Sequence, residues 1–143
     1  MPRLLASRLG QYTSPTLVRR IVHDRSRTLN PQEGEVSCYF SDLAGFTPMT
    51  ERLGPEQTVR LLNIYLEHMS EVLDRHEALI NKFQGDGIFA FFNAPINPQP
   101  DHARRACLAA IDTQAFVAHV QKHLEEVGFS LPVQLRMRVG VST

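Results

Sequence analysis

Phe40-Ser41-Asp42-Leu43-Ala44-Gly45-Phe46-Thr47, answered further along by Lys82-Phe83-Gln84-Gly85-Asp86-Gly87, is the text on which the fold turns. Each stretch sets an Asp at a sharp change of backbone direction. Asp42 closes the apolar run 36–40, and Asp86 sits between the apolar runs 79–83 and 88–92. Short apolar runs bounded by turn residues predict buried strands. Gln84-Gly85-Asp86-Gly87 is hairpin chemistry, because glycine supplies positive φ at no steric cost.

Working outward, residues 47–53 predict a short helical turn stopped by Gly54 and Pro55. An amphipathic helix is then expected over 56–76, with Val59, Leu62, Tyr65 or Leu66, Met69, Val72 and Leu73 recurring at threes and fours. Residues 93–100 hold three prolines and predict a loop. A second amphipathic helix is expected over 101–127, with Asp101 as its N-cap and Gly128 as its stop. Residues 133–141 alternate apolar with polar and basic, which predicts a strand with one wet face. Strand, helix, strand, strand, helix, strand is the α+β, ferredoxin-like split βαββαβ order: an antiparallel sheet with helices on one face. In that order the first and third strands are central neighbours, which lets Asp42 and Asp86 meet.

The chain has 143 residues with 43% hydrophobic content, enough for one core. Residues 1–33 are expected to be a lead-in helix and linker, with Leu17, Val18, Ile21 and Val22 at helical spacing after Ser14-Pro15. Residues 34–143 form the domain proper. No apolar run of membrane-spanning length occurs, and the first residues lack a secretory h-region. Cys38 and Cys107 are too few and too far apart for a disulfide framework or a zinc site, so a reducing cytoplasm is expected. Of the fifteen Lys and Arg residues, six precede Asn30 against one acid, Asp24, which leaves nine bases and fourteen acids from Pro31 onward. No basic footprint for nucleic acid results. The early arginines suit either a solvated helix face or an anionic partner.

Two carboxylates at the ends of neighbouring strands make an oxygen-ligand site for a hard cation, which would relieve their mutual repulsion. Asp42 and Asp86 would hold one or two Mg²⁺ or Mn²⁺ ions, with the carbonyl of Leu43 as a third ligand. The turn Ala44-Gly45-Phe46-Thr47 opens a helix, and its N–H groups would face phosphate. Taken singly, Asp86 also fits a plain hairpin turn and Asp42 a helix N-cap. Regular strand alternation puts Lys82 on the face of Gln84 and Asp86. Lys82 is either a cation flanking the site or an ordinary surface lysine. Arg136 and Arg138 line the wet face of the last strand, where they would meet either phosphate or solvent, and solvent is expected. The histidines show no metal spacing beyond the His119/His123 pair, which sits on an exposed helical face.

These residues carry a resemblance. The chain resembles the catalytic domain of class III nucleotidyl cyclases, the adenylate and guanylate cyclases. The matching text is residues 36–47, Glu51-Arg52-Leu53-Gly54-Pro55-Glu56, residues 81–87, Asn93-Ala94-Pro95, Asp101-His102-Ala103 and Arg138-Val139-Gly140-Val141-Ser142-Thr143. The resemblance implies conversion of ATP to 3′,5′-cyclic AMP and pyrophosphate by two-metal catalysis at a dimer interface, in intracellular signal transduction. It implies that Asp42, Leu43 and Asp86 hold two Mg²⁺ or Mn²⁺ ions per site. It implies that Leu43, Ala44, Gly45, Phe46 and Thr47 hold phosphates and that Lys82 reads the purine. Lysine there goes with adenine, so ATP is expected ahead of GTP. The implied partner is a second copy or a full-length cyclase, with any membrane attachment through an upstream region.

The text ends at Thr143, before the second purine reader and the Asn and Arg that this family carries further on. Little turnover is therefore expected of the chain alone. The alternative is a cyclase-homology module that dimerises with and regulates a partner. A diguanylate cyclase shares the topology, but no Gly-Gly-Asp/Glu-Glu-Phe signature appears.

Overall fold

A computed structural model describes Arg19 and residues 33–143; the lead-in helix expected over 1–33 otherwise lies outside the described residues. The element order is β1 (Ser37–Leu43), α1 (Phe46–Arg75), β2 (Leu79–Gln84), β3 (Gly87–Phe92), α2 (His102–Glu126) and β4 (Met137–Ser142). The strands form one antiparallel sheet in the order β2-β3-β1-β4. This is the split βαββαβ arrangement, with β1 and β3 adjacent at the centre.

Strict alternation along β1 sets the two faces of the sheet. Ser37, Tyr39, Ser41 and Leu43 are buried, whereas Phe40 is exposed and Asp42 partly so. Tyr39 and Leu43 join Ile88, Ala90 and Phe92 of β3 in a core closed by Leu61, Tyr65, Met69 and Leu73 of α1 and by Ala106, Val117, Val120 and Leu124 of α2. No described helix covers the opposite face. There Phe40 and Phe89 stack with ring centroids 4.4 Å apart and planes 7° off parallel.

The break expected at Gly54 is present: φ 78°, ψ 170° interrupts α1 and leaves Pro55 to restart it. Val59, however, is exposed, and the buried stripe begins at Leu61. A three-to-four spacing fixes the period of a stripe but not its phase near a helix end. Asp101 stands at the N-cap position of α2 but makes no capping bond, because its Oδ1 accepts from Arg105 Nε at 2.8 Å. β4 starts at Met137 rather than at residue 133. Leu135 N–H donates instead to the side chain of Gln121, and Val133 is exposed. β1 runs on through Asp42 and Leu43, past the expected end at residue 40.

Two polar contacts tie the layers together. Tyr39 Oη donates to Thr113 Oγ1 at 2.9 Å, and Thr113 in turn donates to the Ala109 carbonyl at 2.8 Å. Ser37 Oγ shares hydrogen bonds with His102 Nδ1 at 2.7 Å and Thr143 Oγ1 at 2.8 Å, while His102 Nε2 faces Glu35 at 3.2 Å. No helix of the described residues is long and apolar enough to cross a membrane.

Thr113→Val removes the hydroxyl to which the fully buried Tyr39 donates. The expected loss is about 1–3 kcal/mol, read as a lower urea midpoint at unchanged slope. Adding Tyr39→Phe is expected to recover part of it, since both partners are then apolar.

Candidate functional site

The open face of the sheet carries a cleft of about 680 Å³ whose wall includes Asp42, Lys82, Gln84, Asp86 and Arg138. Asp42 comes from β1, Lys82 and Gln84 from β2, Asp86 from the β2–β3 turn and Arg138 from β4. Phe40 and Phe89 supply its apolar side. The sheet order thus brings together three of the residues singled out in the sequence: Asp42, Asp86 and Lys82. The turn formed by Ala44, Gly45, Phe46 and Thr47 is not part of this wall.

Lys82 reaches the cleft by a route the sequence did not show. Ile80 pairs with Ala90 on the core side, yet Lys82 pairs with Phe89, so β2 advances two residues while β3 advances one. The extra residue, Asn81, is a β-bulge. Without it, Ile80 and Lys82 would share a face, and burying Ile80 would bury Lys82 as well.

The two carboxylates are held differently. Leu43 N–H donates to Asp86 Oδ2 at 2.7 Å, pinning the hairpin turn to the end of β1. Asp42 faces Arg138 directly across the β1–β4 register. Arg138 Nε donates to Asp42 Oδ1 at 2.7 Å and its Nη2 to Oδ2 at 2.8 Å. The expectation that Arg138 meets only solvent is therefore corrected. A cross-strand register, invisible in one sequence, sets it opposite an acid. The bond to Asp42 holds the Arg138 guanidinium above its ordinary pKa, with the charges of Asp42 and Asp86 adding to it. Both carboxylates thus act on the same spot.

The N–H groups of Leu43 and Ala44 are engaged, the second by the Arg136 carbonyl at 2.8 Å. Gly45 has φ 69°, left-handed, and caps α1 with no side-chain bond. The helical ladder starts with Met49 N–H on the Gly45 carbonyl. Amide donors for an anion at this helix start are accordingly those of Gly45, Phe46 and Thr47.

Behind the aspartates, the hydroxyls of Ser41 and Tyr65 are buried without a hydrogen-bond partner among the described residues. Burial above all, then the negative charges around it (Tyr39 if ionised, Asp86), pushes the Tyr65 phenol well above the usual tyrosine range. Sequence periodicity marked Tyr65 only as core. Among the described residues no cluster of three or more His, Cys, Asp or Glu side chains forms. Asp42 and Asp86 are an all-oxygen pair, the donor type that suits a hard divalent cation. Further ligands would have to come from the backbone or from a nucleotide.

The sheet thus has one face sealed by helices and two acids on the other. Residues 29–143 match the family model of the adenylate and guanylate cyclase catalytic domain. The chain belongs to that family. It is 34% identical to adenylate cyclase 1 of Rhizobium meliloti over 109 residues, which cover 76% of this chain and 16% of that protein. Among solved structures, the guanylyl cyclase Cya2 superposes with a TM-score of 0.67 at 36% identity, covering 74% of this chain and 52% of that one. The adenylyl cyclase CyaB of P. aeruginosa gives 0.67 at 30% identity, with 74% and 54% covered. The chain spans about half the length of these solved domains and under a fifth of the curated relative.

Asp86→Ala removes the acceptor of the Leu43 amide and is expected to lower stability by about 1.5–3 kcal/mol. Asp86→Asn retains a carbonyl acceptor and is expected to lose less. Urea denaturation of both variants checks the order.

Proposed function

We propose that this chain is the aspartate-bearing part of a cyclase that converts ATP to 3′,5′-cyclic AMP and pyrophosphate at an interface between two cyclase chains, in intracellular signalling. The observation that carries the reading is the placement of Asp42 and Asp86 together on one open cleft. Mg²⁺ or Mn²⁺, two per site, held by Asp42, Asp86 and the Leu43 carbonyl, would neutralise the triphosphate and activate the 3′-hydroxyl for attack on the α-phosphate.

The chain's own residues supply binding and orientation. The Leu43 amide fixes one Asp86 oxygen and leaves the other free to face the cleft. The first-turn amides of α1 face the anionic end of the nucleotide, where the helix dipole favours negative charge. Lys82 donates a hydrogen bond to a purine ring nitrogen that accepts one, as adenine offers. Dimerisation is supported by the sheet face left open among the described residues, where Phe40 is 52% exposed and stacks on Phe89. A second chain packed against that face would bring its Lys82 toward the aspartates of the first. Relatives named as adenylyl and as guanylyl cyclases both match this chain, so base preference is assigned here to Lys82.

The test is product formation by the full-length protein with Mn²⁺ and either ATP or GTP, resolved by mass spectrometry. Cyclic AMP is expected to dominate, and Asp42→Ala to reduce its rate by at least about a hundredfold. Lys82→Glu is expected to shift the ATP-to-GTP rate ratio by about tenfold toward GTP. No turnover together with tight association with an active cyclase chain would select a regulatory module instead.

A further inference from the structure

We propose that Arg138 is a built-in counter-cation for Asp42, displaced by a divalent cation entering the cleft, so that Arg138 sets the metal affinity of the site. This rests on the metal role proposed for Asp42. The guanidinium engages both Asp42 oxygens in a fork, at 2.7 and 2.8 Å. Direct opposition in the β1–β4 register keeps it there. A fork takes the outward, in-plane lone pairs of both oxygens. A metal ion approaching either oxygen from that side meets the guanidinium first. Even from another side it meets a fixed positive charge, and like charges at this range repel.

The two carboxylates are therefore unequal partners for a cation. Asp86 is held by a backbone amide at the end of a strand, which cannot swing away. Asp42 is held by a long side chain on the open face, which can. The side chains of Arg138 and Asp42 are 70% and 43% exposed, so release returns the guanidinium to water. Exposed ion pairs are screened and add about fivefold or less to an equilibrium. A divalent ion can therefore compete, while the arginine remains strong enough to raise the concentration required. Lys82 also lines the cleft, and an ammonium cannot form such a fork.

The experiment titrates Mn²⁺ into the full-length protein without nucleotide and follows free Mn²⁺ by electron paramagnetic resonance. Arg138→Gln is expected to bind Mn²⁺ about fivefold more tightly than wild type. Arg138→Lys, which keeps the charge and loses the fork, is expected to fall between them. In an Asp42→Asn background the Arg138→Gln gain is expected to vanish. Unchanged or weaker Mn²⁺ binding by Arg138→Gln overturns the proposal, and so does an Arg138→Lys variant indistinguishable from wild type. If Asp42→Asn and Asp86→Asn abolish Mn²⁺ binding while Arg138→Gln does nothing, the metal site stands and the role of Arg138 falls. If those two variants bind Mn²⁺ like wild type, both fall.

Discussion

β1 is hydrogen-bonded along both edges, and the geometry of the cleft follows from that constraint. A central strand has its register fixed twice, by β3 through Cys38 opposite Phe91 and by β4 through Asp42 opposite Arg138. Its face is fixed as well, since Tyr39 and Leu43 must be buried together. A slip of one residue would turn Asp42 toward the core and expose Tyr39, reversing every side chain at once. Burying an unpaired carboxylate would be prohibitive. The placement of Asp42 on the open face is thus secured by the apolar residues on either side of it. Asp86 inherits the same security, because Leu43, the last residue of β1, supplies its amide partner.

Two like charges on one small surface require separate treatment, and the fold provides it. One acid is stabilised by an immovable dipole and the other by an opposite charge on a long side chain. The layer beneath contributes in a different way. Tyr39 satisfies its hydroxyl through Thr113, and burial raises its pKa despite that bond. Tyr65 and Ser41 leave theirs unpaired next to the acids. Buried hydroxyls without partners are uncommon, and Thr58 on α1 is a third among the described residues.

Much of this was legible in the chain text, for identifiable reasons. Gly54-Pro55 announced the break in α1, Gly85 and Gly87 announced the hairpin, and strand–helix alternation gave the sheet order. Asp42 and Asp86 stood out because turn residues bracket both. What was hidden depends on pairing between distant segments. Arg138 looked like one of two basic residues on a wet strand until register set it opposite Asp42. The bulge at Asn81 leaves no local mark, yet it decides which way Lys82 points. Leu135 belonged to the alternating pattern, but its amide found the Gln121 side chain before any strand. Val59 matched the helical period and missed its phase.

The contacts of Ser37 bear on how the domain could be driven. That one hydroxyl binds the first turn of α2 and Thr143, the residue just after β4, and His102 reaches back to Glu35. A pull arriving through the backbone at Glu35 would be shared among a strand, a helix and the far edge of the sheet before reaching Asp42. The start of β1 is thereby tied by side-chain contacts to α2 and to the far edge of the sheet.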